Sequence, residues 1–185
     1  MRIDFNAKPL LYPMPVLIIA AYDEQGTANA MNAAWGGISE ENEISMCLSA
    51  GHRTVKNILV SKAFTVSVAD KDHVIACDYL GIVSGNKVAD KMQRSGLTVT
   101  ASEKVNAPII NELPITLECR LKSYDPETCR MVGEIVNVSV DERVMTEGKV
   151  DITKVSPITF DPFNHTYHVI GEKVGNAFSD GQQIK

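Results

Sequence analysis

Two long runs rich in β-branched residues, Ile115 to Tyr124 and Arg130 to Val140, constrain this chain most. Asp125 and Pro126 stand between them, turn formers that leave room only for a short loop. The runs are therefore expected to lie side by side as an antiparallel pair. Further strands are predicted in the first half. Val16 to Tyr22 (V-L-I-I-A-A-Y) is apolar on both faces and should be covered on both. Asp23 to Gly26 is a turn, and a second extended segment runs from Thr27 into Ala34. Glu43 to Ser49 and Ala63 to Ala69 alternate polar and apolar as half-buried strands do. Pro157 to Phe160 and Thr166 to Ile170 are candidate final strands.

Between these strands the period changes. Val55, Ile58 and Leu59 fall at helical spacing over Arg53 to Ser61, with Thr54 as an N-cap candidate. Asp70 to Gly81 reads as a helix with an acidic first turn, and Lys87 to Arg94 as a short helical stretch. Closely spaced strands interrupted by helices predict a small barrel with helical insertions. No G-x-G-x-x-G follows the first strand and there is no strict βαβ alternation, which argues against a dinucleotide-binding Rossmann fold. With 185 residues and no Pro/Gly/Ser linker, one domain over 1–185 is expected. Ser179 to Lys185 should be loose.

The net charge of −5 gives no bulk attraction to nucleic acid or anionic lipid, so any phosphate must be held by local donors. Cys47, Cys77, Cys119 and Cys129 form no C-x-x-C pair and meet no His at zinc spacing. They read as reduced, mostly buried thiols. The longest apolar run is too short to span a bilayer and no basic leader or cleavage motif is present, so a cytoplasmic protein is the expectation.

Three segments carry the candidate chemistry. Ser49-Ala50-Gly51-His52-Arg53-Thr54 leaves a strand, turns on small residues and starts a helix, with Asn57 one turn further on. Free N–H groups at a helix start, the hydroxyls of Ser49 and Thr54 and the Arg53 fork suit one phosphate group. The same segment also reads as an ordinary cap with a surface Arg. Asn29-Ala30-Met31-Asn32-Ala33-Ala34-Trp35 is dominated by small side chains that let a flat heterocycle reach the backbone. Taken alone, it reads rather as a strand packed under a helix with Trp35 in the core. Gly81 to Lys91, containing Ser84, is either a helix stop and turn or a loop closing over a cofactor.

In order along the chain, N-A-M-N-A-A-W at Asn29, S-x-x-x-R-T-x-x-N-I at Ser49, C-x-x-x-G-x-x-S-G-x-x-x-x-D-K at Cys77 and Y-H-V-I-G-E-K-V-G-N-A-F at Tyr167 form a set. This set resembles the flavin reductase-like FMN-binding split barrels, in particular the flavoredoxin-type branch. The resemblance implies a mainly β fold, a six-stranded antiparallel Greek-key split barrel with helical insertions. It also implies a homodimer with FMN near the subunit interface, and electron transfer from NAD(P)H or a protein donor to free flavin, ferric iron or a redox partner. By the same resemblance Ser49, Ala50, Gly51, His52, Arg53, Thr54 and Asn57 surround the FMN phosphate. Asn29, Ala30, Met31, Asn32, Ala33 and Ala34 line the isoalloxazine edge, and Ser84 and Lys91 match a third cofactor motif.

The sequence departs from the family at Asn32 and Ala34, where hydroxyl residues are common, and at the Ala50-Gly51-His52 turn, where a Pro is common. His52 either adds a ring N–H to the phosphate or points to solvent. His73 reads as solvated, and His165, His168 and Cys77 as structural. No acid–base pair or nucleophile constellation is visible, as suits chemistry carried by a flavin. An FMN electron carrier without nicotinamide turnover is the second reading. A cofactor-free binding module is the third, and it would require the Arg53 region to be packed shut or turned from any cavity.

Overall fold

The computed structural model describes residues 1–184. Its main element is one antiparallel sheet built from β1 (Leu17–Tyr22), β2 (Ala28–Ala33), β3 (Gly36–Glu40), β4 (Glu43–Cys47), β5 (Ala63–Val68), β6 (Ile115–Asp125) and β7 (Arg130–Val140). The order across the sheet is β2-β1-β5-β6-β7-β4-β3. The sheet therefore has seven strands where six were expected. The additional one, β3, was invisible in the sequence because G-G-I-S-E lacks alternation and its side chains are largely exposed. The two sheet edges, β2 and β3, are consecutive in the chain and joined through Ala34 and Trp35, yet are not paired with each other. The barrel is split at that line.

β6 and β7 form the expected pair, in register from Ile115↔Val140 to Asp125↔Arg130. Register shifts at Val132/Gly133 and Ile135/Asn137 interrupt the ladder, and such bulges increase local twist and curl a sheet. At Gly133 the curl brings a neighbour very close. A Cβ there would lie 2.3 Å from Cζ of Phe64, a fully buried ring.

β1 is covered on both faces, as its unbroken apolar run requires. Leu17, Ile19 and Ala21 join Phe64, Val66, Met46 and Met131 inside the curl. Ile18 and Ala20 face a second cluster with Ala30, Cys77 and Leu80. The first cluster is closed by α1 (Arg53–Ser61) through Val55 and Ile58, and the second by α2 (Val74–Ile82). On β5, Thr65 and Ser67 are buried opposite Phe64 and Val66. Their hydroxyls are satisfied by the Pro108 carbonyl at 2.6 Å and by Thr116 at 2.8 Å. A three-stranded sheet, Met14–Pro15, Ile158–Asp161 and Thr166–Val169, packs beside the barrel.

Several boundaries differ from the expectation for identifiable reasons. α2 begins at Val74, since Asp70 bridges Pro157 and its carboxylate accepts the amides of Asp72 and His73. His73 occupies the N-cap position with its ring 2.8 Å from Asp70, so it is tied down and half-buried. Of Lys87 to Arg94, only Lys91–Ser95 (α3) is helical with one added residue at its end. The N-cap of α1 is His52, not Thr54, and makes no side-chain capping bond. Asp180–Gln183 forms a 3₁₀ turn in the segment expected to be loose, whose last residue, Lys185, lies outside the described residues. All four cysteines are free, but only Cys77 and Cys119 are buried; Cys47 is exposed and Cys129 half-buried. Among the described residues no helix is long and apolar enough to cross a membrane.

Candidate functional site

The uncapped start of α1 positions one end of the site. With no side chain bonding the first turn, the amides of Arg53, Thr54 and Val55 have no intrahelical acceptor and carry the positive end of the helix dipole. Thr54 is buried and accepts a 2.6 Å hydrogen bond from Asn29 Nδ2, which fixes the helix start against β2. Arg53 is half-buried. Its Nη2 lies 3.0 Å from Asp23 Oδ2, and among the described residues the remaining guanidinium donors have no protein partner. Asp23 is held below the usual carboxylate range, first by the Thr27 amide and then by Arg53.

A series of adjoining cavities follows β2. One of 270 Å³ is lined by Asp23, Thr27, Asn29, Arg53 and Gly85. It shares Asn29, Arg53 and Gly85 with a cavity of 200 Å³ that also takes in Met31, Asn32, His52, Thr54, Ser84 and Lys91. That cavity shares Asn32, Gly81 and Ile82 with a third, of 240 Å³, bounded by Ala33, Ala34, Asp78 and Tyr167. Ala34 belongs in turn to an apolar groove of 820 Å³ beside Trp35 and β3. These neighbouring cavities, each sharing lining residues with the next, form a track from the helix start to the split in the barrel.

Gly85 forms the tightest point of the track. A Cβ on it would sit 2.2 Å from Asn29 Oδ1 and 3.3 Å from Arg53 Cβ. Lys91 is buried under the track, with Nζ donating to the carbonyls of Ala30 (2.7 Å) and Leu80 (2.8 Å). Burial without an anionic partner lowers its pKa to about 8. At the far end Tyr167 donates a 2.8 Å hydrogen bond to Asp78, and burial together with that carboxylate pushes its pKa up to about 12.

The structure thus gathers Asn29, Met31, Asn32, Ala33, Ala34, His52, Arg53, Thr54, Ser84 and Lys91 on one track. Ala30 contributes its carbonyl to Lys91, while its side chain is in the core. Ser49, Ala50 and Gly51 are exposed and line none of these cavities; the Gly51 carbonyl instead accepts from Asn86 Nδ2 at 2.9 Å. Asn57 faces the other side of Arg53, into a 250 Å³ cavity with Glu24 and Lys56. Its buried Nδ2 has no hydrogen-bond partner among the described residues. His52 lines the 200 Å³ cavity, while His165 and His168 are exposed away from the track. Trp35 is exposed at the groove and is not a core residue.

Gly81, Ile82 and Gly85 lie in the segment read as a turn or a loop closing over a cofactor, and Tyr167 opens the fourth motif, but none of them was assigned a contact; Asp23 and Asp78 were not foreseen as site residues. Asp78 and Tyr167 meet only because α2 and the Thr166–Val169 strand fold back over β2.

The model of the flavin reductase like domain family matches residues 10–160. Among solved structures, flavoredoxin of Desulfovibrio vulgaris (Miyazaki F) is similar at 36% identity and a TM-score of 0.93, over 98% of this chain and 100% of that one. Flavoredoxin from Methanosarcina acetivorans is 27% identical with a TM-score of 0.86, over 100% of this chain and 98% of that one. An FMN-binding domain of a flavin reductase-like enzyme from Shewanella baltica shares the fold at 19% identity and a TM-score of 0.79, over 90% of this chain and 91% of that one.

Proposed function

Since the chain belongs to the flavin reductase like domain family, we propose that it is an FMN-dependent oxidoreductase passing reducing equivalents from NAD(P)H or a protein donor to an acceptor. The observation that carries this reading is the line of neighbouring cavities that begins at an uncapped helix start beside Arg53 and ends at the unpaired edge of β2. The fit to FMN is supported at both ends. Free amides, a guanidinium with spare donors, the His52 ring and the Ser84 hydroxyl surround a space that a Cβ on Gly85 would narrow. Beyond it, β2 pairs on one side only, so backbone groups of Asn32 to Ala34 can meet the polar edge of a ring.

FMN supplies hydride and single-electron transfer when bound. The chain's own tasks are holding and shielding. Arg53, aligned by Asp23, provides fixed positive charge, and Thr54 and Asn29 brace the helix start. Gly81 and Ile82 line the cavities beside Asn32. Tyr167 is locked to Asp78 at the outer end. We assign no catalytic side chain.

Arg53→Ala should weaken FMN binding by about 1.5–3 kcal/mol, the range for a charge-assisted hydrogen bond, with the fold intact. Equal affinity, by fluorescence titration, would refute the phosphate assignment. Gly85→Ala should raise the FMN Kd at least about tenfold, roughly 1.4 kcal/mol, by displacing Asn29 and Arg53. Unchanged binding in that variant would place the phosphate elsewhere. The whole reading is tested by adding FMN to purified protein and desalting; failure to retain it with a Kd below about 10 µM, near −7 kcal/mol, removes the proposal's base.

Likeness to two flavoredoxins favours one second reading, an electron carrier that holds FMN without turning over nicotinamides. Steady-state NADH and NADPH oxidation with free flavin or ferricyanide separates the two. A cofactor-free module is disfavoured by the position of Arg53, which is partly exposed and borders three cavities. The proposed working unit is a cytoplasmic homodimer with the cofactor near the interface.

A further inference from the structure

A folded monomer of 20.2 kDa should expose roughly 8,800 Å² by the surface-to-mass scaling of compact chains. This chain exposes 11558 Å². The excess, about 2,800 Å², is well above the ~800 Å² that each partner gives to a standard interface. Two segments are exposed throughout, residues 1–13 and the arm that follows the Thr166–Val169 strand. After Ile170 donates to the Pro157 carbonyl, the arm's hydrogen bonds among the described residues are all internal. Val174 and Phe178 are 94% and 101% exposed, as in a free peptide. A segment with large apolar side chains and no body contacts gains nothing on its own that offsets the entropy of a fixed course.

A complementary surface exists on the same molecule. The 820 Å³ groove is apolar, walled by Leu11, Pro13, Met14, Trp35 and Ile38, with Cys47 on its lining. None of the arm's residues lines it. β3, which borders the groove, pairs with β4 alone and so offers an open backbone edge to an extended segment.

We infer that residues 171–178 of a second copy of this chain lie in the groove along β3, and that the exchange is reciprocal about a two-fold axis. The partner's arm then walls the outer end of the cofactor track, which has Ala34 in common with the groove. The inference rests on the homodimer proposed above and adds to it the segment and the surface that join the copies.

Cys47 serves as the reporter. In a Cys129→Ser background the other two thiols are buried, so maleimide labelling reads Cys47. The full chain should be a dimer by light scattering. Its Cys47 should label at least tenfold more slowly than in a chain ending at Ile170, with protection growing as protein concentration rises. Val174→Ser with Phe178→Ser in the full-length chain should reproduce the fast labelling, which guards against a truncation that fails to fold. Equal rates in a dimer would overturn the arm's placement. Slow labelling in a monomer would mean that each arm covers its own groove, and fast labelling in a monomer would overturn the dimer itself. Flavin retention is scored separately by absorbance, so loss of the FMN reading is distinguishable from loss of this one.

Discussion

Gly133→Ala should destabilise the protein by about 3 kcal/mol, the upper range for overpacking a closed core. The new methyl would stand 2.3 Å from Cζ and 3.0 Å from Cε1 of Phe64, well inside contact distance. Phe64 is fully buried among Ile19, Met46, Val66 and Met131, so its ring has no empty space to enter. Nor can β7 move away easily, because it is paired with β6 on one side and β4 on the other. Urea unfolding measures the loss. Adding Phe64→Leu should recover part of it, since the two positions are in contact and their effects should not add. A single variant within about 0.5 kcal/mol of the parent, the ordinary range of neutral surface changes, would show that the strand relaxes at that point.

Lys91 should add about 2 kcal/mol of stability between pH 8 and pH 10, read as the difference between the parent and Lys91→Met, because the buried thiols of Cys77 and Cys119, pushed up to about 12, subtract from stability over the same window in both proteins. Its folded pKa of about 8 lies below the unfolded value of 10.5. Between those values the unfolded chain binds the extra proton, so raising the pH favours the folded state. The neutral amine still has two N–H donors for the carbonyls of Ala30 and Leu80, so the bonds survive the loss of charge. Measurement should stop near pH 10, because Tyr167, raised to about 12, joins Cys77 and Cys119 in opposing Lys91 above its own unfolded pKa. The Lys91→Met profile should lack this contribution and fall with pH through the thiol range, so that the gap between variant and parent widens from pH 8 to pH 10. At neutral pH the substitution should cost about 2 kcal/mol, since two buried carbonyls lose their donor while a buried charge is removed. Parallel profiles for variant and parent would sink the assignment.

What the sequence disclosed followed from local pattern. β1, α1 and the β6–β7 pair were legible because apolar period and turn residues agree there, and α1 falls on Arg53–Ser61 as expected. β3 was not legible: an exposed edge strand with two glycines satisfies its backbone through β4, without an apolar face to announce it. The site divides in the same way. Arg53 and Thr54 could be foreseen because helix starts have a local grammar. Asp23 looked like any turn acid, and its pairing with Arg53 across 30 positions depends on how the β1–β2 turn meets α1. Ser49 shows the converse. Its place beside the turn suggested a ligand contact, but the chain leaves its hydroxyl on the surface, outside the track.

The unpaired line between β2 and β3 has a consequence for how far such a barrel can be improved. Sealing that seam would add ladder bonds worth about 1 kcal/mol each, and selection for stability alone would favour the sealed cylinder. It would also occupy the row of main-chain groups that the proposed heterocycle needs and bar the route from groove to track. The gap is thus a forgone gain in rigidity, and thermostabilising changes aimed at it should be the ones that empty the protein of flavin.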